Sequence, residues 1–230
     1  MRGPGRLLVV GIVLTMLAGC GSSTNATLDP AQLLRDAKQS IDSASALHFT
    51  LTSQGAVGNG TLITGGQGDA RRPDSFTGSL SVVAAGFPVT VNVVSTGGVF
   101  YAQTPLTPRY ERTDPSAYGF GDPAQFLDPN HGLSSLLTSC SGATNKSADL
   151  LNGEQLDEVG CSIPGALVAK LLTSADPSQA VQATVGVDAG THQLRRVSLV
   201  GPFFDKAHAS TFTVVLDKFG ENVTITPPAG

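Results

Sequence analysis

The chain has 230 residues, 40% of them hydrophobic and 14% charged, with a formal charge of −4 at neutral pH. So much apolar content beside so little charge excludes a disordered chain, whose composition runs the other way. An acidic protein also lacks the basic footprint that binds DNA or RNA, so nucleic acid is excluded as a partner.

The first element is a leader. Residues 1–19 read as a lipoprotein signal peptide, with Arg2 and Arg6 at its positive end and an apolar stretch from Leu7 to Leu17. That stretch is too short to span a bilayer, which needs about 20 residues, and is of signal-peptide length. Leu17-Ala18-Gly19-Cys20 has the form of a bacterial lipobox, in which the Cys20 thiol takes a diacylglyceryl thioether, the leader is cut and the new amine is acylated. The alternative is an ordinary secretory leader that happens to end in Cys. Two or three acyl chains anchor firmly, since each buried CH₂ contributes about 0.8 kcal/mol. Residues 20–28 are then the lipidated Cys and a flexible tether, and residues 29–230 one domain held at the outer face of the cell membrane without crossing it.

Asp29 and Pro30 have the order of an N-cap followed by the first helical residue. Leu33, Leu34, Ala37 and Ile41 then recur at helical spacing. Alternation takes over, with Leu47, Phe49 and Leu51 on one strand face. It returns around Leu80 and Val82, and again at Val89, Val91 and Val93. The clusters Gly65-Gly66-Gln67-Gly68 and Gly97-Gly98 read as the turns of an antiparallel meander.

The middle changes character. Asp122-Pro123 and Asp128-Pro129 are two further helix starts, and Leu133, Leu136 and Leu137 form an apolar stripe. Pro164 opens a short helical run. Strands return at 181–187 and 194–200, joined through the hairpin loop Asp188-Ala189-Gly190-Thr191. A strand at 211–216 and a short edge at 223–225 follow, stopped by Pro227-Pro228. Strands, then helices, then strands give an α+β fold with helices on one face of a sheet.

With Cys20 lipidated, Cys140 and Cys161 are an even pair in an exported chain, and an oxidising compartment favours a disulfide between them. Two unlinked thiols are the alternative. No His or third Cys stands at metal-ligand spacing, and no cofactor is implied. The chain has no phosphate-cradling Gly-Lys motif and no Ser flanked by Gly two residues away on each side. Its histidines (His48, His131, His192, His208) are scattered: His192 reads as a solvated turn residue and His131 as a local cap. A triad assembled only by the fold is left open, but nothing in the chain marks an enzyme.

Three stretches carry a family resemblance. They are 122–137 (Asp122-Pro123-Ala124-Gln125 through Leu136-Leu137), 183–194 (Ala183-Thr184-Val185-Gly186-Val187 with His192-Gln193-Leu194) and 216–228 (Leu216-Asp217-Lys218-Phe219-Gly220-Glu221-Asn222-Val223, closing on Pro227-Pro228). In order and spacing, and with the lipobox, they resemble the mycobacterial LppX/LprAFG lipoproteins. The family usually has Trp where this chain has Gly186 and Phe219, and Cys140 and Cys161 are no general feature of it.

The resemblance implies a strongly curved antiparallel half-barrel with helices on its concave face, enclosing an apolar cavity for the acyl chains of lipids or glycolipids. It implies carriage of such lipids across the cell envelope, with an efflux-type membrane transporter as a partner of some members. Phe49, Leu51, Leu80, Val82, Val89, Val91 and Val93 are then wall candidates, and Leu133, Leu136 and Leu137 candidates for a helical lid. A carrier of this kind needs an elongated cavity of many hundred Å³. Composition alone favours an ordinary filled core, and with it the alternative of a non-carrier envelope lipoprotein that scaffolds or regulates a transporter.

Overall fold

Asp29 caps the first helix as its place before Pro30 implies, its carboxylate accepting from the Ala31 N–H at 3.1 Å. The computed structural model describes residues 28–58 and 60–229. The leader, Cys20 and most of the tether lie outside the described residues. Helix α1 (Pro30–Ser43) buries Leu33, Leu34, Ala37 and Ile41, the stripe its spacing marked out. Among the described residues no helix is long and apolar enough to cross a membrane.

Five strands follow as a meander: β1 (Ala46–Gln54), β2 (Leu62–Arg71), β3 (Ser75–Ala84), β4 (Phe87–Thr96) and β5 (Val99–Gln103). The short β6 (Glu111–Arg112) forms the edge beyond β5. The chain then runs through 3-10 turns at Pro115–Tyr118 and Pro123–Leu127 into helix α2 (Leu133–Leu137). After α2 come β7 (Ser141–Asn145), β8 (Asp149–Leu151), β9 (Glu154–Ile163) and helix α3 (Gly165–Leu171). Strands β10 (Val181–Asp188), β11 (Leu194–Asp205) and β12 (His208–Asp217) complete the fold.

The described strands form one antiparallel sheet in the order β6-β5-β4-β3-β2-β1-β12-β11-β10-β9-β7, with β8 also paired to β9. The last strand thus closes against the first, with Phe49 opposite Leu216 and Leu51 opposite Val214. The sheet is open and curved. Register shifts at Ile63/Gly65, Gly186/Val187, Gly201/Asp205 and Ser141/Thr144 supply local bends, because a bulge coils the strand that carries it.

Several expectations need correction. Gly65 to Gly68 is no turn but the middle of β2. A methyl group at Gly66 would stand 2.7 Å from Leu80 Cδ2, so these glycines give room to neighbouring side chains rather than freedom to turn. Gly97 and Gly98 do form the β4–β5 turn, with φ of 58° and 73°, the left-handed pair that a tight hairpin requires. Residues 223–225 form no strand: after Gly220 donates to the Ala46 carbonyl at 2.8 Å, the chain leaves the sheet. Strands β5 to β9 have no counterpart in the sequence reading. The longest of them, β9, carries Glu154, Asp157, Glu158 and Gly160, which mask its alternation.

Candidate functional site

An apolar cavity of about 130 Å³ lies between the sheet and the segments that cross it. Its floor is the middle of the sheet: Phe49 and Leu51 from β1, Ile63 from β2, Phe76 and Leu80 from β3, Leu199 from β11, and Phe212 and Val214 from β12. Its roof comes from the chain between β6 and α2, through Phe120 and Phe126, from Leu133 and Leu136 of α2, and from Val168, Leu171 and Leu172 in and after α3. Phe126 meets the floor directly, its ring centre 5.7 Å from that of Phe49, which itself stacks on Phe76 at 5.3 Å.

One ionisable side chain reaches this wall. Asp122 lines the cavity, but its Oδ1 accepts from Ser95 Oγ at 2.7 Å and from the Ala124 N–H at 3.0 Å. That carboxylate caps the 3-10 turn at Pro123–Leu127 and has little left to offer a ligand. The cover is fastened in the same way. Ser134 on α2, fully buried, donates to Asp42 of α1 at 2.6 Å, and Lys38 pairs with the other oxygen of Asp42 at 2.6 Å. Asp128 accepts from the Asn130 and His131 N–H groups, both at 2.8 Å, and shapes the turn that leads into α2. Those two hydrogen bonds hold the Asp128 carboxyl below its ordinary value, the larger effect coming from Asn130.

The structure sorts the wall candidates. Phe49, Leu51, Leu80, Leu133 and Leu136 line the cavity. Val82, Val91, Val93 and Leu137 are buried in the core away from it, and Val89 is half-buried on β4. Phe212 and Val214 escaped the sequence reading, although their alternation along the last strand was visible. Phe120 and Phe126 sit in irregular chain, where no periodicity marks an inward-facing residue. The cavity is also far smaller than the many hundred Å³ expected of a carrier, because Phe126 and the α2 leucines descend onto the sheet.

Elsewhere Cys140 and Cys161 are joined by a disulfide, with Cα atoms 5.4 Å apart, linking the chain after α2 to β9. Each of the four histidines places Nδ1 beside an aspartate: His48 by Asp69 at 2.7 Å, His131 by Asp128 at 3.1 Å, His192 by Asp36 at 3.1 Å and His208 by Asp205 at 3.0 Å. Among the described residues no serine hydroxyl joins any of these pairs, so the arrangement is a set of turn and strand contacts. His192 is more than a solvated turn residue, because it docks the β10–β11 hairpin on α1. No three His, Cys, Asp or Glu side chains of the described residues gather where they could hold a metal ion.

The model of the LppX_LprAFG lipoproteins matches residues 29–225, nearly the whole described fold. The chain belongs to that family. It is similar to the lipoarabinomannan carrier protein LprG of Mycobacterium tuberculosis strain H37Rv, at 28% identity over 96% of this chain and 93% of the relative. The Mycobacterium leprae protein of the same name is 25% identical over the same shares. Among solved structures, LprF from Mycobacterium bovis superposes with a TM-score of 0.68 at 17% identity, covering 87% of this chain and 97% of that one. LppX from Mycobacterium tuberculosis superposes at 0.61, also at 17% identity, over 86% and 98%. At those identities the likeness is one of fold.

Neither Gly186 nor Phe219 lines the cavity. A methyl group at Gly186 would stand 2.9 Å from Leu156 Cδ1 and 3.4 Å from Arg196 Cβ. Gly186 thus packs against β9 and β11, away from the cavity wall.

Proposed function

We propose that this protein is a lipid carrier, tethered through a lipidated Cys20 to the outer face of the cell membrane, and that acylated lipids or glycolipids enter between its sheet and the helices on its concave face. The observation that carries the reading is the cavity wall: aromatic and aliphatic side chains from five strands meet others from the crossing segments, and the single carboxylate among them is already hydrogen-bonded. Sheltering a chain of about 16 carbons from water is worth roughly 12 kcal/mol at about 0.8 per CH₂, so a carrier needs dry volume and no reactive group. The relatives named as lipoarabinomannan carriers support a glycolipid as ligand class.

At about 130 Å³ the cavity is close to the ~150 Å³ of an engineered apolar cavity that admits benzene. A long acyl chain therefore requires the cover to swing outward, with Phe126, Leu133 and Leu136 leaving the floor. The tight interior also favours a second reading, a family member that scaffolds or regulates an envelope transporter and carries nothing. One experiment decides between them. The protein from Gly21 onward is purified without detergent, extracted with organic solvent and analysed by mass spectrometry. Acylated lipid at near-stoichiometric amount is the expected result, and an extract free of lipid overturns the carrier reading.

A further inference from the structure

A hydroxyl taken out of water without a hydrogen-bond partner costs free energy, so buried serines in folded chains are nearly always satisfied. Here Ser95 donates to Asp122 and Ser134 to Asp42. Among the described residues three serines depart from the rule. The Oγ atoms of Ser53, Ser174 and Ser210 are shut off from solvent and have no partner, and Ser210 as a whole is 3% exposed.

The fold brings all three to one end of the cavity. Ser53 opposes Phe212 across β1 and β12, and Ser210 stands two positions before Phe212 on β12. Directly opposed residues share a face of the sheet, and alternate residues of a strand return to it. Ser53 and Ser210 therefore stand on the same face as Leu51, Phe212 and Val214, which floor the cavity. Ser174 comes from the roof. It lies between Leu172, which lines the cavity, and Asp176, whose N–H donates to the Pro202 carbonyl at 3.2 Å. Pro202 follows Gly201, the β11 partner of Ser210, so the roof segment meets the sheet beside Ser210.

That end adjoins the surface. A second pocket, of about 200 Å³, is lined by Ser174, Asp176, Pro202, Phe204, Asp205 and Lys206 among others. Phe212 lines the cavity, Phe204 lines this pocket, and their rings are in contact with centres 5.5 Å apart. An apolar chamber thus gives way to three unpartnered hydroxyls and then to a polar recess. Tail, ester and polar head of an acylated lipid follow one another in the same order. The site suits a neutral acceptor rather than an anion, because the Asp176 carboxylate stands in the recess and Lys206 is already paired with it at 3.5 Å. We propose that Ser53, Ser174 and Ser210 form the polar end of the lipid site. Their hydroxyls donate to the ester carbonyl of an acylated lipid, whose tail fills the apolar cavity and whose head lies in the recess beside Asp176. This assignment rests on the carrier reading and gives the ligand its orientation.

The test compares an ester with an alkane and an acid of similar length. Protein from Gly21 onward, which contains the whole described fold, is incubated with methyl palmitate, hexadecane or palmitate, freed of unbound probe and extracted for gas chromatography. The native protein is expected to retain the ester above the acid. The triple variant Ser53→Ala, Ser174→Ala, Ser210→Ala is expected to retain roughly fivefold less ester, the effect of losing one or two hydrogen bonds, with hexadecane unchanged. Because the hydroxyls removed have no partner in the protein, the urea midpoint of the variant should match or exceed the native one. Unchanged ester retention in the variant, an equal loss of hexadecane, palmitate retained as well as the ester, hexadecane retained alone, or a lowered midpoint each overturns the proposal and leaves the carrier reading standing. A native protein that retains none of the three probes overturns both.

Discussion

Phe49 and Gly68 face each other across β1 and β2, and a methyl group at Gly68 would stand 2.9 Å from the edge of the Phe49 ring. The same methyl group would press on the Thr77 carbonyl and on Gly78, the partner of Gly68 on β3. The ring lies over a bare strip of backbone, stacks on Phe76 and reaches Phe126 in the cover. A glycine pair in the sheet therefore sets the depth of the cavity floor.

Gly68→Val is expected to destabilise the protein by about 1–3 kcal/mol, since overpacking against backbone cannot be relieved by a rotamer change. In urea unfolding the midpoint falls while the slope is unchanged. An unaltered midpoint would show that Phe49 and β3 move aside freely.

The disulfide has a separate effect. Cys140 and Cys161 are 21 positions apart, and closing such a loop restricts the unfolded chain by about 3 kcal/mol in the chain-entropy model. Cys140→Ala with Cys161→Ala is expected to lower the thermal midpoint by several degrees, and reductant is expected to do the same to the native protein but nothing to the double variant. Equal midpoints with and without reductant would contradict this.

Acid sensitivity is expected from Asp176. Its carboxylate accepts from the Ser178 hydroxyl at 2.6 Å and the Ser178 N–H at 2.9 Å, and these hold it down at about 2. A group whose value is depressed by folding stabilises the native state above its unfolded value, near 3.8, and loses that contribution as pH falls toward 2. Asp176 also donates its backbone N–H to the Pro202 carbonyl, fastening the loop after α3 to β11. Urea midpoints measured between pH 5 and pH 2 are expected to fall steeply in the native protein and less steeply in Asp176→Asn, with the difference confined to that window. Parallel curves would refute it.

How much of this was legible in the sequence follows from where the residues lie. The α1 stripe and the Phe49, Leu80 and Leu133 positions sit in regular elements whose period shows which side chains turn inward. The Gly65–Gly68 cluster misled because glycine in sequence signals a turn, whereas here the lost side chain makes space for Phe49 and Leu80. Strand β9 was hidden because Arg196 of β11 reaches Glu158 at 2.6 Å, so a charged residue is tolerated in the middle of the strand. Phe120 and Phe126 reach the cavity through chain bends that Asp114 and Asp122 cap, which no alternation encodes.

Leu51 and Val91 both alternate as wall residues in the sequence. Leu51 lines the cavity opposite Val214, whereas Val91 is 1% exposed in closed core beside Leu80. Enlarging each therefore has different results. Val91→Trp forces side chains off their rotamers and is expected to cost at least about 1–3 kcal/mol in either functional reading. Leu51→Phe extends into existing space, so its urea midpoint should stay within about 1 kcal/mol of the native protein. In a carrier, the added ring occupies the place of the ligand, and bound lipid per mole of protein should drop severalfold at unchanged stability. A Leu51→Phe protein that unfolds early would mean the cavity is closed in solution. One that is stable and retains its full lipid load would place the acyl chains elsewhere.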